Sequence, residues 1–323
     1  MSPFLYADIC FADQERSFMQ KDETKRQTPT IRIYQNATGA VPYKLTNDYL
    51  FKALLQRNKT VLKALISALL HLPPEQVEDA DVKNPMLPGD RITNKTVILD
   101  VNVLFNNGSR INLEMQVVNE HNWPERSTIY ACRNFSDLNK GEKYKDIKPV
   151  YQIGFLDYTL FPEHPSFYAT YKLTDVKSHH IFTDKLMIGV VDLKNIELAT
   201  PEDKLYNINK WAQLFKAQTW EEIKMLAATS SIIDDAATTL YQLSEDERIR
   251  QECEAREDYW KREQGLLDEM NETQERFAEA QKKIADQEKT IAEQEKALTE
   301  KDEEIAKQQE EIAKLKAMLA KTN

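Results

Sequence analysis

Residues 100–116, DVNVLFNNGSRINLEMQ, contain two runs of alternating apolar residues around a turn-like NNGS, and so read as a β-hairpin. Inside those runs stand Asp100 and Glu114, acids that a sheet does not take without a reason. Side chains alternate faces along a strand, so Asp100, Asn102 and Leu104 share one face. Asn112, Glu114 and Gln116 share one on the partner. Whether the two faces coincide depends on the loop. A two-residue turn at Asn107-Gly108 pairs Asn106 with Ser109 and leaves Asp100 and Glu114 on opposite faces. A three-residue loop, Asn106-Asn107-Gly108, with Gly108 in the left-handed region, pairs Phe105 with Ser109 and sets Asp100 opposite Glu114. Facing carboxylates repel unless a cation lies between them. Oxygen ligands without histidine or cysteine point to Mg²⁺, with Mn²⁺ as a substitute.

Upstream of the hairpin, 46–72 (TNDYLFKALLQRNKTVLKALISALLHL) carries leucines three and four apart. It predicts one helix, or two broken near Arg57-Asn58. Downstream, Trp123-Pro124 interrupts pairing, and 125–141 predicts a helix stopped by Gly141. The runs PVYQIGFLDY and KLMIGVVDL read as strands and about 202–243 as helices, with Trp211 and Trp220 as core anchors. The expected fold class is α/β, a central mixed sheet flanked by helices.

From about Ser244 the composition shifts to Glu, Lys, Gln and Ala. Apolar residues recur every seventh position: Met270, Phe277, Ile284, Ile291, Leu298, Ile305, Ile312 and Leu319. A repeat of seven over this length predicts a left-handed coiled coil about 75 Å long. The companion seam three residues on (Thr273, Ala280, Gln287, Gln294, Lys301, Gln308, Leu315) is mostly polar, which predicts a weak homo-oligomer through 260–323, most simply a dimer. The expected organisation is a leader or arm at 1–42, a core domain at 43–243 and a helical coiled coil at 244–323.

The net charge of −10 sits mainly in that tail: from Glu245 onward 23 acidic residues face 15 basic ones, and the rest of the chain is nearly neutral. A neutral body neither demands nor excludes a nucleic-acid partner. Cys10, Cys132 and Cys253 form no CxxC pair, which speaks against a disulfide framework or structural zinc. Cys132 is expected to be a buried structural thiol. His71, His121, His164, His179 and His180 have no metal or triad spacing and read as loop or surface residues. No basic leader with an apolar core and no run of about 18 apolar residues is present, so the expectation is a cytoplasmic protein without a membrane partner.

The set LTNDYLFKALL (45–55), ILDV (98–101), NLEMQ (112–116) and ERSTIYACRNFSDLNKGEKYKDIKPVYQIGFLDY (125–158) resembles the recombination-promoting nuclease or putative transposase family, a branch of the PD-(D/E)XK nuclease superfamily. The resemblance covers roughly residues 43–250. It implies a restriction-endonuclease-like core that cuts DNA with Mg²⁺ and is linked to recombination or mobile elements. By position it makes Asp100, Glu114 and the Met115 carbonyl metal ligands, Asp48 the acid of the first helix, and Gln116 the occupant of the superfamily's lysine position. That branch characteristically carries glutamine there, although glutamine cannot act as a general base. Lys52 and Lys95 could supply positive charge. Arg126 and Tyr130, four apart on one helix face, could contact phosphate. The competing reading is a weak or inactive nuclease fold serving as a coiled-coil interaction or DNA-binding module.

Overall fold

The computed structural model describes residues 32–83, 100–106, 108–136 and 143–322, and these form two compact units, divided between Lys261 and Arg262. Lys95, the predicted helix stop Gly141 and most of the predicted leader lie outside the described residues.

The leucine-rich segment folds as two helices, α1 (Asp48–Arg57) and α2 (Lys59–Leu69). Asn58 makes the break. Its backbone is extended (φ −124°, ψ 97°), its N–H caps α1 on the Leu54 carbonyl, and its side chain accepts from the N–H groups of Thr60 and Val61 at the start of α2. One residue thus satisfies orphan groups of both helix ends.

Among the described residues the sheet has six strands: β1 (Ala80–Val82), β2 (Val101–Phe105), β3 (Ser109–Gln116), β4 (Val150–Leu156), β5 (Tyr168–Lys172) and β6 (Leu186–Asp192), in the order β1-β2-β3-β4-β6-β5. Pairings β3-β4 and β4-β6 are parallel and the others antiparallel. The two edge strands were not expected from the sequence. β1 has only three residues, and YATYK of β5 is largely exposed without clean alternation.

One sheet face is apolar. Val101, Val103, Ile111, Leu113, Met115, Ile153 and Phe155 are buried there under α1 and α2. Phe51 of α1, Phe155 of β4 and Phe215 of α5 (Ile208–Lys216, preceded by the short α4, Pro201–Leu205) meet edge to face with ring centroids 5.2–5.5 Å apart. Trp211 and Trp220 are both buried, the latter opening α6 (Trp220–Ala227), which is followed by α7 (Ser231–Ser244).

The other face is covered by α3 (Trp123–Phe135). This helix begins two residues before the predicted Glu125, because Trp123 and Pro124 form its first turn, where proline's missing N–H costs nothing. It ends with Ser136 as its C-cap, short of the predicted Gly141. Trp123 packs with Leu156, Tyr158 and Val190, and its indole occupies the place of a side chain at Gly154. A Cβ there would lie 2.3 Å from Trp123 Cζ2. Cys132, expected to be buried, lies on the exposed side of α3.

The last helix, α8, runs from Glu247 to Thr322. Its first turns belong to the first unit, with Cys253 and Arg256 buried, and the remainder is an exposed helix. Among the described residues no helix is long and apolar enough to cross a membrane.

Candidate metal and nucleic-acid site

The hairpin adopts the three-residue loop. Phe105 pairs with Ser109, Gly108 has φ +94°, and the Ser109 N–H donates to the Asn106 carbonyl at 3.3 Å. The ladder continues to Val101 opposite Leu113, so the next position sets Asp100 opposite Glu114. Gly108 decides this outcome, since a left-handed residue lets one extra loop position fit without shifting the faces.

The two acids therefore lie on the face under α3, together with the buried amides of Asn112, Gln116 and Gln152. Glu114 is 7 % exposed. Arg126 on α3 reaches it at 2.5 Å, from Nη2 to Oε1, and Gln152 Nε2 donates to Oε2 at 3.5 Å. Asn112 Nδ2 donates in turn to Gln152 Oε1 at 3.1 Å. Burial pushes the Glu114 carboxyl above the usual glutamate range. Arg126 opposes the shift, while the neighbouring charges of Asp100 and Glu120 add to it. Arg126 also points Nη1 at Glu120, 3.4 Å away, so one guanidinium bridges the buried acid and a more open one.

Several polar atoms around this cluster are buried with no hydrogen-bond partner among the described residues: Asn112 Oδ1, Arg126 Nε and Tyr158 Oη. A buried polar atom left without a partner costs desolvation energy, so each of these invites a water, an ion or a ligand atom. Tyr158 and Tyr130 are both held above the ordinary tyrosine range, first by burial, with Glu114 adding to the effect. Tyr130 also feels Asp100, which places it at the same cluster as Arg126, one helical turn away. Gln116 is 2 % exposed, and its Nε2 donates to the Val118 carbonyl at 3.1 Å.

Three further candidates stand on α1 and β3. Asp48 opens α1, the helix on the apolar face, and its carboxylate is gripped by Arg256 of α8: Nε lies 2.8 and 2.7 Å from the two oxygens and Nη2 2.6 Å from Oδ2. The Arg256 guanidinium also lies over the rings of Tyr259 and Trp260, at 4.9 and 4.7 Å. Lys52, on the same helix, is 4 % exposed. The Met115 side chain enters the apolar core.

Two cations went unnoticed in the sequence. Lys83, just after β1, and Arg110 line a cavity of about 410 Å³ together with Asp100, Asn102 and Leu104. Arg110 could have been found by the alternation that yields Asn112 and Glu114, since it occupies the same face. Glu120 had no pattern to mark it.

PD-(D/E)XK nuclease family transposases match the chain over residues 45–270. The chain belongs to this family. Its mixed sheet flanked by helices, with a long C-terminal helix, is the restriction-endonuclease-like PD-(D/E)XK fold. Neither the curated proteins nor the solved structures give a match. PD-(D/E)XK nucleases generally use divalent metals. Among the described residues there is no group of three or more His, Cys, Asp or Glu disposed to hold one. What the family member offers instead is two carboxylates that repel each other, Asp100 just before β2 and Glu114 in β3, with the orphaned oxygen of Asn112 on the face of Glu114. All three donors are hard oxygens, which suits a small divalent cation.

Proposed function

We propose that this family member is a Mg²⁺-dependent DNA endonuclease, with Mn²⁺ able to substitute, acting in recombination or in the movement of mobile elements. The observation that carries the reading is the hairpin register, Phe105 opposite Ser109 through Val101 opposite Leu113, whose continuation by one position would set Asp100 opposite Glu114 on the polar, helix-covered face. Asp100 and Glu114 would hold the metal, with an oxygen from Asn112 or the Met115 carbonyl. The bound ion would supply Lewis-acid activation of water and neutralise charge on the scissile phosphate.

The chain's own residues do the remaining work. Arg110 and Lys83, at the open side of the acids, bind the phosphodiester backbone. Arg126 and Tyr130 approach from α3; once Glu114 is held by a cation, the guanidinium retains Glu120 and is available to phosphate. Gln116 orients by hydrogen bonds and takes no proton. Asp48 is left out of the ligand set because Arg256 already occupies its carboxylate. Assembly through residues 260–323 as a dimer belongs to this reading, since two sites suit two strands.

The test is incubation of the purified full-length chain with supercoiled plasmid and Mg²⁺ or Mn²⁺. Wild type is expected to nick and linearise, and the Asp100→Ala, Glu114→Ala double variant is expected to do neither. Equal cleavage by both would overturn the assignment. One observation favours a second reading, a nuclease fold that binds without cutting: Arg126 neutralises Glu114 within the chain itself. Calorimetry showing no Mn²⁺ uptake by the wild type, with DNA binding intact, would select it.

A further inference from the structure

The seam of α8 from Met270 to Ile312 is exposed along its whole length, from 47 % at Met270 to 64 % at Phe277, so a single chain leaves an apolar stripe uncovered. We infer that this stripe is covered by the same stripe of a second copy of this chain, running parallel and in register. The inference takes the dimer of the proposed function and gives it a direction.

The orientation follows from which layers meet. In a parallel pair, each seam position packs against its own counterpart, and the companion position against its own. The apolar residues then form eight apolar layers, and the glutamines of the companion seam face each other, where amide can hydrogen-bond amide. An antiparallel pair crosses the two seams. Ile284 would face Lys301 and Phe277 would face Gln308, and in that register five of the seven distinct layers are half polar. Burial of apolar area scales with matched area, so the parallel arrangement is favoured layer by layer.

The flanks agree. Taking Met270 as the first heptad position, in-register parallel packing brings the seventh position of one heptad beside the fifth position of the next in the partner. This pairs Lys283 with Glu288 and Glu311 with Lys316, and no like charges fall together. Beyond the loss of apolar burial at the polar layers, the largest cost is Lys301, which meets its own copy inside a layer. Asp302, next along the helix, supplies the counter-charge at that flank. Both chains then enter the coil from the same end, which suits two catalytic units working on one duplex.

The experiment uses the full-length chain carrying one added cysteine, Ile284→Cys or Ile305→Cys, oxidised with glutathione disulfide and read on a non-reducing gel. Wild type serves as the control for the native cysteines. Each variant is expected to crosslink to itself almost completely, and light scattering is expected to give twice the 37.5 kDa chain mass. Preferential crosslinking between Ile284→Cys and Lys301→Cys would show an antiparallel pair, and crosslinking of Ile284→Cys with Ile291→Cys alone would show a shifted register. A monomeric or trimeric mass would also overturn the inference. Lys301→Leu is expected to lower the dimer dissociation constant at least about tenfold; no tightening would count against the layer assignment. None of these readouts involves DNA or metal, so a failed cleavage assay and a failed crosslink are separate results.

Discussion

Arg126 Nη2 lies 2.5 Å from Glu114 Oε1, and this ion pair ties the covering helix to the middle of the sheet on its polar side. Removing the arginine leaves a buried carboxylate whose remaining side-chain donor among the described residues is Gln152 at 3.5 Å. Because Arg126 is partly exposed, Arg126→Ala is expected to cost about 2 kcal/mol, less than a fully buried pair would. Glu114→Gln, which keeps the shape and removes the charge, is expected to cost less still. The pH dependence has a definite sign. The folded state holds the Glu114 proton more tightly than the unfolded chain, so this group favours folding most below the ordinary value of 4.5. Its contribution declines as pH rises through the raised folded value. Urea titrations between pH 4.5 and 8 are therefore expected to show wild type losing stability relative to Glu114→Gln, and Arg126→Ala losing more. A pH-independent difference would contradict the raised carboxyl.

The parts of this site legible in the sequence are those governed by local chemistry. Gly108 allows the three-residue loop, and the loop determines which acids face each other. Asn58 is a residue that can end one helix and begin another, and the predicted break falls on it. What was not legible depends on contacts between distant segments. Nothing near Asp48 announces Arg256, 208 residues away, and so the acid's motif position gave no hint of its partner. Trp123 read as an interruption because its packing against Gly154 of β4 exists only after the sheet forms. Cys132 sits on a helix whose buried side is narrow, marked by Trp123, Ser127 and Ala131, and composition alone could not say which side it takes.

The pair of Asp48 and Arg256 predicts an effect on folding that a purely catalytic acid would not have. Both side chains are nearly buried, at 6 % and 8 % exposure. Asp48→Ala strands a guanidinium in the interior, and Arg256→Ala strands a carboxylate, so each single variant is expected to lose about 3–5 kcal/mol. The double variant is expected to lose less than the two singles combined, and a double-mutant cycle by chemical denaturation measures that coupling. Additive losses would mean the pair does not act as a unit. If Asp48→Ala left stability unchanged while abolishing plasmid cleavage, Asp48 would return to the catalytic set.

Gly154 controls how closely α3 approaches the sheet. A methyl group there meets the rigid indole of Trp123 at 2.3 Å, a distance that no adjustment of a flexible side chain can relieve. Gly154→Ala is thus expected to push α3 outward, destabilise the domain by about 2 kcal/mol and pull Arg126 from Glu114. Pairing it with Trp123→Phe, whose smaller ring makes room, is expected to recover part of the loss. Thermal denaturation of the single and paired variants checks this. An unaltered midpoint for Gly154→Ala would show that α3 is not seated on that glycine.

Gln116 follows Glu114 by two residues on the same face, one pleat further along β3, where the superfamily name places lysine. Its Nε2 is engaged by the Val118 carbonyl, which leaves Oε1 as the atom that can accept a proton-bearing group, such as an attacking water. Gln116→Ala removes one buried hydrogen bond and is expected to cost about 1 kcal/mol of stability. If orientation by this amide contributes to the chemical step, plasmid cleavage is expected to fall about a hundredfold, while Mn²⁺ affinity measured by calorimetry changes less than about twofold. Gln116→Lys restores a positive charge at that position but must bury it, so its cleavage is expected to lie between those of wild type and Gln116→Ala. Cleavage by Gln116→Ala at the wild-type rate would mean that the residue holds the end of β3 in place and takes no part in the cut.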